Sequence, residues 1–233
     1  MRDLGQPAFR GEQVYQWIWQ RGVVDVEAMT DLPLGLRSVL AGGLDWSVPA
    51  LRETLGGRDG TKKLVVGLGD GARVETVLIP GEAMSWTVCI STQVGCRMRC
   101  VFCRSGRDGL RRNLGPEEIA GQLFVGERLL PPGGEIRKVV LMGIGEPLDN
   151  YEGTLGAIKV FLSRRRHVLS NGRIVVSTIG LPAAIRRLDA DLGGKVSLAL
   201  SLHSPSARKR KAIVRGAGDD APQKIVEAAL GFR

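Results

Sequence analysis

The sequence has few cysteines, few aromatic residues and no long apolar run. Four cysteines in 233 residues are too sparse for a disulfide framework. No apolar run approaches the ~20 residues that cross a bilayer, and the N-terminus lacks the apolar region of a secretory signal. We therefore expect a cytoplasmic protein without a membrane contact, in a compartment that keeps thiols reduced. Aromatic residues make up only 5% of the chain, so broad base-stacking surfaces are not expected.

Charge and apolar content are what the chain has in quantity. Hydrophobic residues make up 43% of the sequence, which is ample for a core in one large domain or two small ones. The formal net charge is +9, so the simplest partner is a polyanion such as a nucleic acid.

The N-terminal third has two different patterns. Residues 9–41 have helical periodicity, with glycines at the expected helix ends. Short β-type runs follow, separated by the hairpin dipeptides Asp59-Gly60 and Asp70-Gly71. We predict that residues 1–80 form a small accessory module of helices and β-hairpins.

From Trp86 onward, apolar strands alternate with amphipathic helices. The strand runs are near-continuously apolar, which is typical of parallel strands buried on both faces. Four βα units are recognisable, fewer than the about eight of a closed barrel. We predict an α/β fold in which residues 81–233 form a partial (βα) barrel.

Three cysteines, Cys96, Cys100 and Cys103, follow the first of these strands with the spacing C-x3-C-x2-C. Three thiolates can bind three irons of a cubic iron–sulfur cluster and leave the fourth iron open to a substrate or cofactor. Structural zinc is the alternative, but it usually takes four Cys or His ligands. The remaining candidates, Cys89, His167 and His203, lack finger-like spacing.

The strand KVVLMG leads into Gly143-Ile144-Gly145-Glu146-Pro147. Closely spaced glycines let a ligand approach the backbone, and a glutamate can accept a hydrogen bond from an amine. In parallel α/β folds, ligands bind at this carboxyl edge of the sheet. An ordinary βα turn is the equally open alternative.

Together these motifs resemble the RlmN/Cfr family of radical S-adenosylmethionine (SAM) rRNA adenine methyltransferases. The resemblance covers nearly the whole chain, and its segments stand in the family's order: FRGEQVYQWIWQRGV, DGTKKLV, VETVLIP, CISTQVGC, RRNLGPEEI, MGIGEPLDNY and SLALSLHSP. It implies a radical SAM barrel with a [4Fe–4S] cluster on the three cysteines. The cluster would cleave SAM to a 5′-deoxyadenosyl radical, which leads to methylation of carbon 2 or carbon 8 of adenine.

The resemblance also implies roles for individual residues. The residues that match SAM contacts are Gly145, Glu146, Ser177, Ser201, Leu202 and His203. Glu75 matches a proposed general base, and Cys89 matches a cysteine that helps to resolve a covalent RNA–enzyme intermediate. A solvated Glu75, an inert core Cys89 and a purely structural Ser177 remain the alternatives.

The implied partners are rRNA, which the accessory module of residues 1–80 would also contact, with tRNA left open, and an external electron donor such as a flavodoxin; a monomer is expected. Two basic runs, Arg164-Arg165-Arg166 and Arg208-Lys209-Arg210-Lys211, could contact phosphates or form solvated faces.

The chain departs from the family pattern near its end. The methyl-carrying cysteine and a SAM-contacting asparagine are expected after SLHSP, yet no cysteine follows Cys103. The stretch AIVRGAGDD replaces a more usual segment, and Arg104 replaces a small residue. We expect a C-terminally truncated or degenerate family member with weakened SAM binding and no methyl transfer. A non-catalytic iron–sulfur or RNA-binding remnant and a radical SAM enzyme of small molecules are the alternatives.

Overall fold

The computed structural model describes residues 1–19, 21–43, 49–163, 172–216 and 218–233. The helices are α1 (Ala8–Trp19), α2 (Leu34–Gly43), α3 (Pro116–Glu127), α4 (Tyr151–Phe161), α5 (Pro182–Leu192), α6 (Ala207–Ile213) and α7 (Pro222–Leu230). The strands are β1 (Ala50–Gly56), β2 (Lys62–Gly67), β3 (Arg73–Pro80), β4 (Ser85–Cys89), β5 (Gln93–Gly95), β6 (Leu110–Asn113), β7 (Glu135–Leu141), β8 (Ile174–Thr178) and β9 (Ser197–Leu200).

One mixed sheet organises the chain, with the strand order β1-β2-β3-β4-β7-β8-β9. The strands β1 to β4 pair antiparallel, whereas β4, β7, β8 and β9 pair parallel. The helices α3, α4 and α5 connect the parallel strands, and β5 pairs with β6 in a separate two-stranded ribbon. This arrangement confirms the predicted α/β fold with a partial barrel.

The antiparallel part contains both predicted hairpins. The side chains of Asp59 and Asp70 each accept a hydrogen bond from the backbone N–H two residues later, at 3.0 Å. Gly60 and Gly71 follow them with φ of 84° and 82°, a conformation that glycine adopts without steric cost. The turns therefore set the register in which Val65 lies opposite Glu75.

The core lies on the side of the sheet that the connecting helices cover. On β3, Val74, Thr76 and Leu78 are fully buried, while the intervening Glu75 and Val77 are part-exposed on the opposite face. Apolar residues of α3, α4 and α5 complete this core. The strand period of two thus separates a packed face from a face that stays accessible.

The first 43 residues pack around a core of their own. Its members are Val14, Val26, Met29, Leu32, Leu36 and Leu40. A hydrogen bond between the hydroxyls of Tyr15 and Ser163 connects α1 to the segment after α4. The sheet, in contrast, runs continuously across the boundary predicted at residue 80.

No helix in the described ranges is both long and apolar enough to cross a membrane.

Candidate functional site

The cysteine loop, residues 96–103, follows β5 at the carboxyl edge of the parallel strands. The backbone N–H of Cys96 donates to the carbonyl of Gly109 at 3.0 Å, and that of Cys103 donates to the carbonyl of Cys100 at 3.0 Å. Gly95 has φ of 78°, and a Cβ there would lie 2.0 Å from the Gly109 carbonyl oxygen. The start of the loop therefore requires a glycine.

The segment after α6 braces the same loop. Backbone hydrogen bonds join Val101 to Ile213 at 2.9 Å and Gly216 to Met98 at 2.7 Å, on either side of a bridge between Cys100 and Val214. Ile213, Val214 and Gly216 belong to the stretch AIVRGAGDD, which departs from the family pattern. The described part of that stretch holds the cysteine loop in place through these backbone contacts.

The three cysteines face a pocket of about 320 Å³, within the usual size range of small-molecule sites. Residues at and just after the ends of β7, β8 and β9 also line the pocket. The predicted site residues that line it are Cys96, Cys100, Cys103, Gly145, Glu146, Ser177, Ser201 and His203. Leu202 lies between two lining residues but does not itself line the pocket.

The cysteine loop supplies three thiols, the number of protein ligands of a cubic iron–sulfur cluster with one open iron. Within the described residues, no group of three or more His, Cys, Asp or Glu side chains is placed to hold one ion. A cubic cluster puts each thiolate on a different iron and so needs the sulfurs further apart. Burial raises the pKa of Cys96 to about 11 and also raises the pKa of Cys100. Cluster binding would therefore release thiol protons.

Glu146 joins the turn after β7 to the end of β8. Its side chain accepts backbone hydrogen bonds from Leu148 at 3.1 Å and from Ile179 at 2.9 Å, one on each carboxylate oxygen. Only 3% of the residue is exposed, and this burial raises its pKa to about 7. The sequence suggested a glutamate available to an amine; in the structure the protein's own backbone already engages both oxygens.

The glycines of this turn allow protein backbone to approach. A Cβ at Gly143 would lie 2.6 Å from Ser91 Oγ, and one at Gly145, where φ is 115°, would lie 2.8 Å from Thr92 Oγ1. We expected the glycines to admit a ligand. The space beside both glycines is occupied by the segment that links β4 to the cysteine loop. Gly145 also lines the pocket.

A buried glutamine network holds that segment, and sequence reasoning missed it. Gln122 of α3 is fully buried, and its Oε1 accepts from Thr76 Oγ1 at 2.8 Å and from the Ser91 N–H at 2.9 Å. Its Nε2 donates to the Ser91 carbonyl at 2.8 Å, and Ser91 Oγ in turn accepts from the Ile144 N–H at 2.9 Å. A polar residue within the apolar run IAGQLFVG was the available signal.

His203 lies at the exposed rim of the pocket. Its φ is 63°, an uncommon value for a residue other than glycine, and its ring lies 4.6 Å from the ring of Phe102 in the cysteine loop. Desolvation and the positive charge of Arg210 lower its pKa, which favours a neutral imidazole. His203 lies three residues after the end of β9.

Glu75 and Cys89 do not line the pocket. Val77 lies opposite Cys89 across β3 and β4, so Glu75 and Cys89 share the accessible face of the sheet. Lys63 Nζ donates to Glu75 Oε1 at 3.0 Å. Cys89 is hydrogen-bonded to the backbone of Met142, which does line the pocket, while burial raises the pKa of its thiol.

Basic residues surround the cysteine loop. The exposed arginines on and beside it are Arg97, Arg99, Arg104, Arg107 and Arg111, here named the basic rim. In the second basic run predicted from the sequence, Arg208, Lys209 and Lys211 are exposed, but Arg210 is buried and cannot reach a phosphate at the surface. The first run, residues 164–166, lies outside the described residues, as does His167.

Comparisons with known proteins agree with this geometry. Residues 1–43 match the ribosomal RNA large subunit methyltransferase N-terminal domain, and residues 90–231 match the radical SAM superfamily. The dual-specificity RNA methyltransferase RlmN of Sorangium cellulosum is 41% identical over 90% of this chain and 62% of its own length. The corresponding protein of Solidesulfovibrio magneticus is 42% identical, over 92% of this chain and 61% of its own length.

A solved structure is similar over almost the whole chain. The crystal structure of a radical SAM methyltransferase from Sphaerobacter thermophilus superposes with a TM-score of 0.88 at 34% identity, covering 97% of this chain and 67% of that one. The present chain spans about three fifths of the length of the two curated relatives.

Proposed function

The chain belongs to the RlmN-type family of the radical SAM superfamily, and on that premise we propose that its pocket binds a [4Fe–4S] cluster and SAM for radical chemistry on RNA. Cys96, Cys100 and Cys103 would ligate the cluster. The single observation that carries the proposal is the convergence of these cysteines with the ends of three parallel strands on one pocket.

SAM would occupy the part of the pocket lined by Gly145, Glu146, Ser177 and Ser201. A cluster with an open iron supplies the one-electron reductive cleavage of SAM. The protein's part is to position the cofactor: the hydroxyls offer donors and acceptors, and Glu146 keeps two strand ends at a fixed separation. The imidazole of His203 offers a further hydrogen-bonding group where the pocket opens to solvent.

The proposed target is a ring carbon of adenine, carbon 2 or carbon 8, in large-subunit rRNA, and tRNA is a further candidate. The names of the relatives support an RNA substrate, and the exposed arginines of the basic rim support phosphate contacts on and beside the cysteine loop. Cys89 and Glu75 would serve as the resolving cysteine and the general base, because both lie on the accessible face of the sheet and Cys89 is hydrogen-bonded to the pocket residue Met142. An external one-electron donor such as a flavodoxin and a monomeric state complete the proposal.

Cleavage of SAM is the direct test of this function. Anaerobically reconstituted protein with dithionite and SAM should form 5′-deoxyadenosine, and Cys100→Ala should abolish it. Transfer of a labelled methyl group from SAM to RNA in the same reaction measures the proposed methylation separately from the cleavage. Absence of 5′-deoxyadenosine from cluster-loaded protein would instead favour a non-catalytic iron–sulfur or RNA-binding role.

RNA binding by the basic rim has its own test. Substituting Arg107 and Arg111 by Gln should weaken RNA binding and lower the slope of log affinity against log salt by about one per residue. Replacing Lys224 of α7 and Arg186 of α5 by Gln, both of which are exposed, provides a control of equal charge change. An unchanged slope in the double variant would contradict RNA binding at the rim.

A further inference from the structure

Arg210 is a buried cation behind the cysteine loop. Only 3% of the residue is exposed, and its Nη2 donates to the carbonyl of Ile179 at 2.5 Å. Its Nε is also buried, and among the described residues it has no hydrogen-bond partner. A buried, permanently charged guanidinium is costly unless another charge compensates it.

The backbone fixes Arg210 relative to the cluster ligands. Arg210 lies in α6, and the N–H of Val214 donates to its carbonyl at 2.8 Å. Val214 forms the bridge to Cys100, so Arg210 is one helical turn from the residue that pairs with a proposed ligand. The guanidinium of Arg210 donates to the carbonyl of Ile179. The N–H of the same Ile179 donates to the carboxylate of Glu146.

The positive charge of Arg210 acts on a residue that lines the pocket. It lowers the pKa of His203, which lines the pocket, and its guanidinium is hydrogen-bonded to the carbonyl of Ile179, which also lines the pocket. Burial lowers the pKa of Arg210 itself, and Asp220, Cys100 and Glu146 partly offset that change. Arg210 does not line this pocket but a smaller one beside Asp220, so it acts on the pocket through its charge and not by direct contact with a ligand there.

We propose that Arg210 is the counter-charge of the iron–sulfur cluster and raises its reduction potential, an inference that rests on the proposed function. The three thiolates and the added electron make the reduced cluster the more negative state, and a fixed buried cation stabilises it preferentially. In this step one electron passes from a low-potential one-electron donor to the cluster, and no bond or proton is transferred.

The test is a redox titration of the reconstituted cluster, followed by electron paramagnetic resonance. Arg210→Gln should lower the ratio of reduced to oxidised cluster at a fixed potential by about tenfold, which is ~59 mV for a one-electron couple. Arg210→Lys keeps the charge and should stay close to wild type. Arg208→Gln removes an exposed charge from the same helix, so it should shift the ratio far less.

The possible outcomes separate this inference from the proposed function. A loaded Arg210→Gln cluster with the wild-type potential would overturn the inference alone. Loss of the cluster in Arg210→Gln but not in Arg210→Lys would support it, because the charge is then needed for assembly. Loss in both variants, or equal shifts in both, would assign Arg210 a packing role and overturn it. A wild-type chain that assembles no cluster would overturn both proposals.

Discussion

Substitution of Gln122 by Leu tests whether the buried amide holds the site in place. The change removes the partners of three buried groups: the N–H and carbonyl of Ser91 and the hydroxyl of Thr76. Each buried group left unpaired costs about 1–3 kcal/mol, and the added apolar side chain returns about 1–2 kcal/mol. Three such groups cost about 3–9 kcal/mol together, so we expect a net loss of roughly 1–8 kcal/mol in the free energy of unfolding.

Urea denaturation followed by far-ultraviolet circular dichroism measures this loss, with the denaturant slope unchanged if only stability has changed. Gln223→Leu is the matched control, because Gln223 is exposed on α7; its effect should stay within about 0.5 kcal/mol. A double-mutant cycle adds Thr76→Val. The valine should cost about 1 kcal/mol in the wild-type background. In Gln122→Leu it removes a buried hydroxyl that is already unpaired, so there it should restore about 1–3 kcal/mol.

The reasoning is refuted if Gln122→Leu matches the control, or if Thr76→Val costs the same in both backgrounds. A second readout connects the network to the site. Ser91 also receives the Ile144 N–H in the turn before Glu146, so SAM binding by cluster-loaded Gln122→Leu should weaken. Gln223→Leu should leave it unchanged.

Two further predictions concern the turn after β7. Gly145→Ala should cost about 1–3 kcal/mol more in urea denaturation than Gly133→Ala, because both glycines have positive φ but a Cβ at Gly133 meets nothing within 4 Å; equal losses would contradict the close approach. Burial raises the pKa of Glu146 from 4.5 to about 7, so its contribution to stability is complete below pH 4.5 and is lost as the pH rises through 7. The stability of the apo-protein relative to Glu146→Gln should therefore fall by roughly 3 kcal/mol between pH 4.5 and pH 8, and parallel pH profiles would refute the assignment.

The sequence predicted the elements that local patterns determine. The Asp-Gly hairpins and the apolar parallel strands are set by turn chemistry and by the strand period, and both are present. The short helix α6 was missed, because seven residues with the sequence ARKRKAI show charge and no apolar face. Its packing depends on the cysteine loop, a contact that no local pattern encodes.

The candidate site shows the same division. The cysteine spacing and the GEP turn were recognisable, and the structure brings them to one pocket. The burial of Arg210 could not be recognised from the sequence, because this residue stands in a run of four cations that is typical of a solvated face. The distance of Glu75 from the pocket lining also depends on the register between β3 and β4, which spacing along the chain does not reveal.

The most direct test of the account is the spectroscopy of the anaerobically reconstituted chain with and without SAM. We predict about four irons per chain, broad visible absorption, and an electron paramagnetic resonance signal of the reduced cluster that changes when SAM is added. Replacing Cys96, Cys100 and Cys103 by Ala should abolish the iron content, the visible absorption and the electron paramagnetic resonance signal. A colourless zinc protein, or a cluster whose signal is indifferent to SAM, would contradict the claim that this pocket joins an open iron to SAM.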